Sequence, residues 1–560
     1  MTTATTPAPS KAVQTVLAYH QRTKHHLNRY AAGPETLDWD AQPNPFRTFD
    51  GAPRIELPLR ANDETLLFSE LPAAQPQPFS LETLAYLLEL SMGLAAWKEF
   101  GPDRWALRCN PSSGNLHPTE CYVLAFGLAG LDDGLYHYLS REHALELRWQ
   151  PTEAAKPETP GLFIGLSSIH WREAWKYGER AFRYCQLDIG HAVGALRYAA
   201  ATVGWATQLN PSLDSDQLAT LLGLDRDADF DTAEREDPEL LLDVIVPGII
   251  PSNEVKPDAL SEGNWTGRAN LLDPHPIYRW PIIDQVAEAS RQPAYPPEPP
   301  TENAHWPART AQSSRTAIDV IRGRRSAQHF NPQITLPAQT FFQILDSLLP
   351  RTKTLPWDSL PFTPRLHVLL FVHRVDGLES GLYVLPRSAE GETCLRDQLH
   401  ASFVWEPVVL NDEQSIGENP EHLPLYLLLA GDVRKVARGF SCHQAIASDS
   451  CFSLALVAEF APLLTEEPWR YRPLYWEAGL IGQVLYLEAE AAGFNGTGIG
   501  CFFDNAVHEG FGLKDDRLQV LYHFTVGQAL VDSRISTLPP YAHRQAAKSN
   551  TPTEPTGAAT

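Results

Sequence analysis

The sequence predicts an α+β protein in which one domain occurs twice. Three observations carry that expectation. The chain repeats itself at a constant offset, long helical periods mix with strands in no regular alternation, and a proline-rich break falls near the middle.

The repeat is clearest between FRYCQLDIGHAVGALRYAAATVGW (182–205) and YRPLYWEAGLIGQVLYLEAEAAGF (471–494). A shift of 289 residues superimposes them without gaps, so that Gly190 meets Gly479, Arg183 meets Arg472 and Gly204 meets Gly493. Asp188 meets Glu477 under the same shift, and DDGLYHY (132–138) echoes ESGLYVL (379–385). The repeating unit is roughly 230 residues, far longer than a solenoid repeat.

Within the duplicated segment, Ile189, Val193, Leu196, Ala200 and Val203 recur at spacings of four and three, the period of one helix face. Gly190, Gly194, Ala195 and Ala199 put small residues on the other faces, so this helix can pack closely on several sides and belongs at the domain centre. Strands are predicted at 121–128, 366–373 and 518–527. The run RQPAYPPEPPTENAHWPARTAQSSR (291–315) is polar and aperiodic and reads as an extended linker. The expected layout is a disordered tail at 1–14, a first domain at 15–285 and a linker at 286–314. A second domain at 315–541 and a tail at 542–560 follow. The two domains are expected to pack as an internal pseudo-dimer, for which a monomeric chain suffices.

At 560 residues the chain exceeds one ordinary core, and 43% apolar with 20% charged residues is normal for a soluble globular protein. The formal net charge of −23 argues against nucleic acid and against anionic membranes as partners, and leaves room for a local basic pocket. The seven cysteines are scattered, odd in number and without a CxxC pair, which fits reduced thiols in a cytoplasmic protein. No apolar run approaches the ~20 residues of a membrane span, and the N-terminus lacks the basic start and apolar core of a signal peptide.

Five motifs stand out: PSSGNLHPTE (111–120), WREAWKYGERAFRYCQLDIGHA (171–192), RRSAQHF (324–330), GTGIGCFFD (496–504) and TVGQ (525–528). Together, on a duplicated domain, they resemble the nitroreductase-like flavoprotein superfamily and, within it, the SagB-type (thiazole/oxazole) dehydrogenases. The resemblance covers roughly 15–285 and 315–541. It implies FMN as cofactor, a site at a domain interface fed from both sides, and a small-molecule or peptide-borne substrate.

Each motif also has a chemical reading. A flavin phosphate needs guanidinium forks and hydroxyls, and IRGRRSAQHF offers Arg324, Arg325, Ser326 and Gln328; alone it reads equally as a solvated basic turn. The resemblance assigns the phosphate tail to Arg324, Ser326 and Gln328, although the family usually has Lys or Arg where Gln328 stands. Arg534 offers a second clamp or is an ordinary surface arginine. The isoalloxazine ring needs close backbone N–H approach, and the resemblance places Ile499, Gly500 and Cys501 there; the glycines of 496–500 also suit a tight turn. The first half has Leu209, Asn210 and Pro211 at the positions of Gly498–Gly500, and the second half has PWDSLPFTPR (356–365) where the first has the PSSGN loop. Each half keeps what the other lacks. Ser112, Ser113 and Asn115 are therefore expected to complete one flavin site held mainly by the second half.

Lys176–Tyr177 matches the Lys–Tyr pair associated with SagB-type enzymes. Substrate oxidation requires loss of a hydride and a proton, and a lysine whose cationic form is disfavoured by burial or by a nearby Arg172, Arg180 or Arg183 can take the proton. An exposed amphipathic segment is the alternative reading. His191 reads as structural, Cys442–His443 as structural or pocket-lining, and no metal site is expected. The leading expectation is an FMN-dependent dehydrogenase or oxidase. An NAD(P)H-dependent nitro- or quinone-reductase and a non-catalytic flavin- or peptide-binding scaffold remain as alternatives.

Overall fold

A computed structural model describes residues 9–60, 65–152, 159–249, 263–298, 306–309, 312–351, 353–408 and 422–544. The chain opens with α1 (Lys11–Arg22), capped by the Ser10 hydroxyl, which accepts from the Val13 N–H. β1 (Leu94–Phe100) and β2 (Asp103–Arg108) form a hairpin. Then come β3 (Thr119–Phe126), β4 (Gly134–Leu139), β5 (Ala144–Pro151) and β6 (Gly161–Ser168). α2 (His170–Tyr177), α3 (Ala181–Thr202), β7 (Ala206–Asn210), β8 (Asp237–Ile245) and α4 (Pro281–Ala289) complete the first half. Its sheet runs β5-β4-β3-β6-β8-β7, with every neighbouring pair antiparallel and two short segments, Arg54–Glu56 and Gly263–Trp265, added on β5.

The second half repeats the pattern. After the short α5 (Ala317–Gly323) come β9 (Leu366–Val372), β10 (Gly381–Leu385), β11 (Tyr426–Ala430) and β12 (Phe452–Glu459). α6 (Tyr471–Ala491), β13 (Asn495–Ile499), α7 (Asp504–Phe511), β14 (Leu518–Gly527) and β15 (Ser536–Leu538) follow. This sheet runs β11-β10-β9-β12-β14-β13, again antiparallel throughout. The two orders match strand for strand, and the GLY-bearing echoes at 132–138 and 379–385 fall on β4 and β10. The α+β class and the tandem fold are as the sequence predicts, and the three predicted strands are β3, β9 and β14.

The two central helices, α3 and α6, are buried over nearly their whole length and cross each other where the sequence placed equivalent glycines. A Cβ on Gly190 would stand 2.2 Å from the Trp476 carbonyl oxygen and 2.8 Å from the Gly479 Cα, and a Cβ on Gly479 would stand 2.1 Å from the Leu187 carbonyl oxygen. No side chain fits, so glycine at both positions permits the close approach. Arg183 and Arg472, also equivalent, each reach into the other half. Arg183 pairs with Asp504 at 3.0 Å and Arg472 with Glu239 at 2.6 Å and Asp237 at 2.7 Å.

The chain ends are exchanged as well. β15 pairs with β1 of the first half, Thr537 opposite Lys98, and His25 near α1 bridges to Phe503. Three expected boundaries change. Helix α1 begins at Lys11, inside the expected 1–14 tail, because Val13 and Val16 are buried. Helix α4 enters the expected linker, and Arg309 within that linker pairs with Glu488 on α6. Beyond 541, His543 donates to the Arg141 carbonyl at 2.9 Å. The remaining tail residues, 1–8 and 545–560, lie outside the described residues.

Candidate active site

A cavity of about 630 Å³ opens between the halves. The first half lines it with Ser112–Asn115, Tyr177, Tyr184 and Asp188, and the second with Arg324–Gln328 and Gly498–Cys501. The structure therefore brings together Ser112, Ser113, Asn115, Tyr177, Arg324, Arg325, Ser326, Gln328, Ile499, Gly500 and Cys501 from both sides of the linker. Lys176 does not line the cavity, but its Nζ lies close to Gly114 of this wall. Arg534 does not line the cavity; its side chain is 73% exposed and forks onto Asp532, although Val531, Asp532 and Ile535 contribute to the rim.

The PSSGN loop is a rigid feature. Ser113 donates from both its N–H and its hydroxyl to the Asp188 carboxylate on α3, the Ser112 hydroxyl accepts from the His117 N–H, and Asn115 Nδ2 donates to the Ala106 carbonyl at 2.9 Å. These three side chains thus already have protein partners. Asp188 has serine donors and, among the described residues, no cation, and burial pushes its carboxyl up to about 7. Sequence reasoning missed this residue, although its alignment with Glu477 marked both as the acidic position of the central helices.

One end of the cavity is cationic. Lys98, Arg324 and Arg325 line it, and none has a carboxylate partner among the described residues. Arg324 is buried, lies 4.9 Å over the Tyr486 ring, donates weakly to the Cys109 and Arg108 carbonyls, and leaves Nη1 without a partner. Burial and the adjacent Arg324 bring Arg325 down to about 10, and burial and Arg325 lower Lys98 as well. Three neighbouring cations without acids, one with an orphaned donor, fit an anion such as a phosphate. Lys98 was not among the sequence candidates because it arrives on β1, beside the exchanged strand β15.

The glycines 496 and 498 belong to a strand, β13, rather than to the expected turn. Phe524 and Tyr522 of β14 occupy the space their side chains would take, and the Tyr184 ring lies 2.3 Å from where a Gly500 Cβ would be. The Gly498 N–H donates to the Tyr486 hydroxyl at 3.1 Å, which also shares a 2.7 Å hydrogen bond with Ser326. Ile499, Gly500 and Cys501 line the cavity beside Gly498.

Lys176 and Tyr177 sit over the PSSGN loop. Gly114, at φ 60°, has space for no side chain, since a Cβ there would be 2.6 Å from the Tyr177 hydroxyl and 3.2 Å from Lys176 Nζ. Burial lowers Lys176, while Glu173 opposes that shift; burial raises Tyr177 well above the usual phenol range, so it stays protonated. The arginines expected to act on Lys176 serve elsewhere. Arg172 pairs with Glu120, and Arg180 and Arg183 pair with Asp504. The Tyr177 ring meets Tyr184 edge-on at 4.7 Å, and Tyr184 meets Gly500, so packed rings connect the Lys–Tyr pair to the second half.

His191 lines the cavity but is held neutral by burial, between Gln483 and the Tyr522 hydroxyl. His170, Asp237 and Glu239 come close enough to chelate an ion, but Arg472 occupies both carboxylates.

The positions equivalent to this cavity under the 289-residue shift form its filled counterpart. There Glu477, equivalent to Asp188, accepts from the Arg365 N–H at 2.8 Å and pairs with Arg387, which lies 4.8 Å over the buried Trp357 ring. Arg197, equivalent to Tyr486, forks onto Asp358 with two bonds of 2.8 Å. Asn210 is tied to Asp243, and the Pro211 carbonyl accepts from the Tyr295 N–H of the linker.

Residues 73–231 match the model of the Nitroreductase family. Among curated proteins it is 25% identical over 140 residues to "Putative nitroreductase MJ1384" of Methanocaldococcus jannaschii, covering 23% of this chain and 67% of that one. It is 26% identical over 214 residues to the Trifolitoxin-processing protein TfxB of Rhizobium leguminosarum bv. trifolii, covering 34% of this chain and 57% of that one. A crystal structure of a "putative nitroreductase" from Anabaena variabilis superimposes with a TM-score of 0.66 at 21% identity, covering 92% of this chain and 99% of that one. That likeness extends the shared fold across both halves.

Proposed function

We propose that the chain is an FMN-dependent oxidoreductase of the SagB dehydrogenase kind, working at one composite site between its halves. The observation that carries this reading is the cavity lined from both halves by the motifs the sequence singled out. Bound FMN would supply a hydride-accepting ring nitrogen. Arg324, Arg325 and Lys98 would hold its phosphate, because they are the cations there without acid partners. The Ile499–Cys501 backbone and the PSSGN loop would border the ring from opposite halves.

The remaining chemistry is proton handling. Tyr177 is the member of the Lys–Tyr pair that reaches the cavity, and Lys176, destabilised as a cation by burial, stands behind it to take a proton. Asp188, near neutrality and in the same wall, is a second acceptor. The relative named for trifolitoxin processing favours a peptide-borne substrate over a free small molecule.

The test is spectroscopic. Protein purified with excess FMN and desalted should keep a flavin absorbance corresponding to one FMN per chain. A colourless protein that takes up no FMN would overturn the proposal, and two per chain would overturn the single site. Lys176→Ala and Tyr177→Phe should retain the flavin and lose substrate oxidation; loss of the flavin instead would remove their assigned role.

A further inference from the structure

Two of the seven cysteines meet at the edge of the cavity. Cys501 follows β13 and lines the wall, and Cys442 projects from the loop after helix Arg434–Phe440, bringing the two Sγ atoms to 2.7 Å. Both are partly exposed, and neither is bonded to another cysteine. Of the other five, four are buried and apart.

The surrounding backbone holds this pair in place. Cys442 and His443 both adopt positive φ, 51° and 60°, an unfavourable conformation for two successive non-glycine residues that turns the Cys442 side chain toward Cys501. Gln444 donates to the Cys501 carbonyl at 3.1 Å, the Phe503 N–H donates to the Phe440 carbonyl at 2.8 Å, and Arg180 donates to the Gly500 carbonyl at 3.1 Å. The two loops are thus clamped on either side of the sulfurs.

Their electrostatics differ. The Cys442 thiol, then His25 and Arg180, hold Cys501 below the usual thiol range against the opposing effect of burial, which favours its thiolate. His25 Nδ1 accepts from the Ala31 N–H, which leaves Nε2 as the protonated nitrogen that can face the thiolate. Cys442 is raised, first by the neighbouring Cys501. All five other cysteines are raised, mainly by burial.

We propose that Cys442 and Cys501 are a redox-active dithiol that reacts with small disulfides entering the cavity. The Cys501 thiolate attacks one sulfur of the disulfide and displaces a thiolate, leaving a mixed disulfide on Cys501. Cys442 then loses its proton to solvent, attacks the Cys501 sulfur and releases the second thiolate. The protein gives up two electrons and gains one S–S bond; the small disulfide takes up those electrons and becomes two thiols. Bridging ties the 440–444 loop to the cavity wall. This activity stands whether or not the chain binds a flavin.

The test uses the full chain without added flavin in glutathione buffers of graded ratio. After acid quench and alkylation, peptide mapping should find a Cys442–Cys501 cross-link whose fraction follows one two-electron transition, with the other five thiols alkylated. Cys442→Ser should accumulate glutathione on Cys501. Cys501→Ser should modify Cys442 at least ~10-fold more slowly, because Cys442 does not line the cavity and burial still raises its thiol. In wild type, both residues remaining free in excess oxidised glutathione, or the cross-link forming with another cysteine, would overturn the proposal. So would glutathione reacting no faster at Cys501 of the Cys442→Ser chain than at partly exposed Cys394.

Discussion

The open cavity and its filled counterpart are built from equivalent positions and reach opposite outcomes. In one, Asp188 holds a glycine-bearing loop by its backbone, Tyr486 orders a strand edge, and three cations face a cavity without acid partners. In the other, Glu477 pairs with Arg387, Arg197 pairs with Asp358, and the Arg387 guanidinium lies over the buried Trp357 ring. The fold alone therefore does not make a site. Among the described residues, the site lies where the central-helix carboxylate has no cation and the nearby cations have no acids.

The largest expected effect falls on the filled cleft. Trp357→Ala removes a buried ring from beneath Arg387 and should cost about 3–5 kcal/mol of stability, read by urea unfolding. FMN affinity, measured at low temperature where the variant stays folded, should not change. A matched fall in FMN affinity would mean that the clefts are not independent.

In the open cleft the expected effect is reversed. Arg324→Ala deletes a charge-assisted contact worth about 1.5–3 kcal/mol, so FMN affinity should fall about 10- to 100-fold by fluorescence titration. Stability without flavin should hold or rise, since an incompletely bonded buried cation is removed. A fall in stability of the flavin-free protein would assign Arg324 to the fold instead.

Asp188 can be tested by pH. Asp188 keeps its proton up to about 7 in the folded chain, against about 3.9 when unfolded. Between those values the folded state binds more protons, so stability falls as pH rises, by up to about 1.4 kcal/mol per pH unit. It levels off above pH 7. Asp188→Asn should abolish that slope while still accepting from Ser113, so its stability relative to wild type improves from pH 5 to pH 8. Parallel pH curves would place an ionised Asp188 in the native state.

What could be read from the sequence follows from this comparison. The duplication was legible because core packing repeats: Gly190 and Gly479 must both be glycine for the helices to cross, and that constraint leaves the same letter in the same place. The PSSGN, RRS and GIG segments were legible as motifs on a resembling pattern. Their partners were not. Asp188 and Tyr486 read as helix-face residues, Lys98 reaches the site only through an exchanged strand, and Cys442 and Cys501 meet across a long separation that no local period encodes. The glycines of 496–500 were expected in a turn, but they are strand positions crowded by Tyr522 and Phe524, a packing reason that only the neighbouring strand reveals.

Arg534 provides the smallest and most discriminating test. It follows the last long strand, where a second phosphate clamp was expected, yet its guanidinium forks onto Asp532 two residues away and is mostly in solvent. An exposed pair of this kind is weak, so Arg534→Ala should change FMN affinity by less than about threefold. The segment is nonetheless close to the site, because Val531, Asp532 and Ile535 form part of the rim. If Arg534→Ala weakens FMN tenfold, the arginine must exchange Asp532 for the phosphate when flavin binds. The rim would then close over the cofactor, and the open cleft would differ from its filled counterpart in mobility as well as in charge.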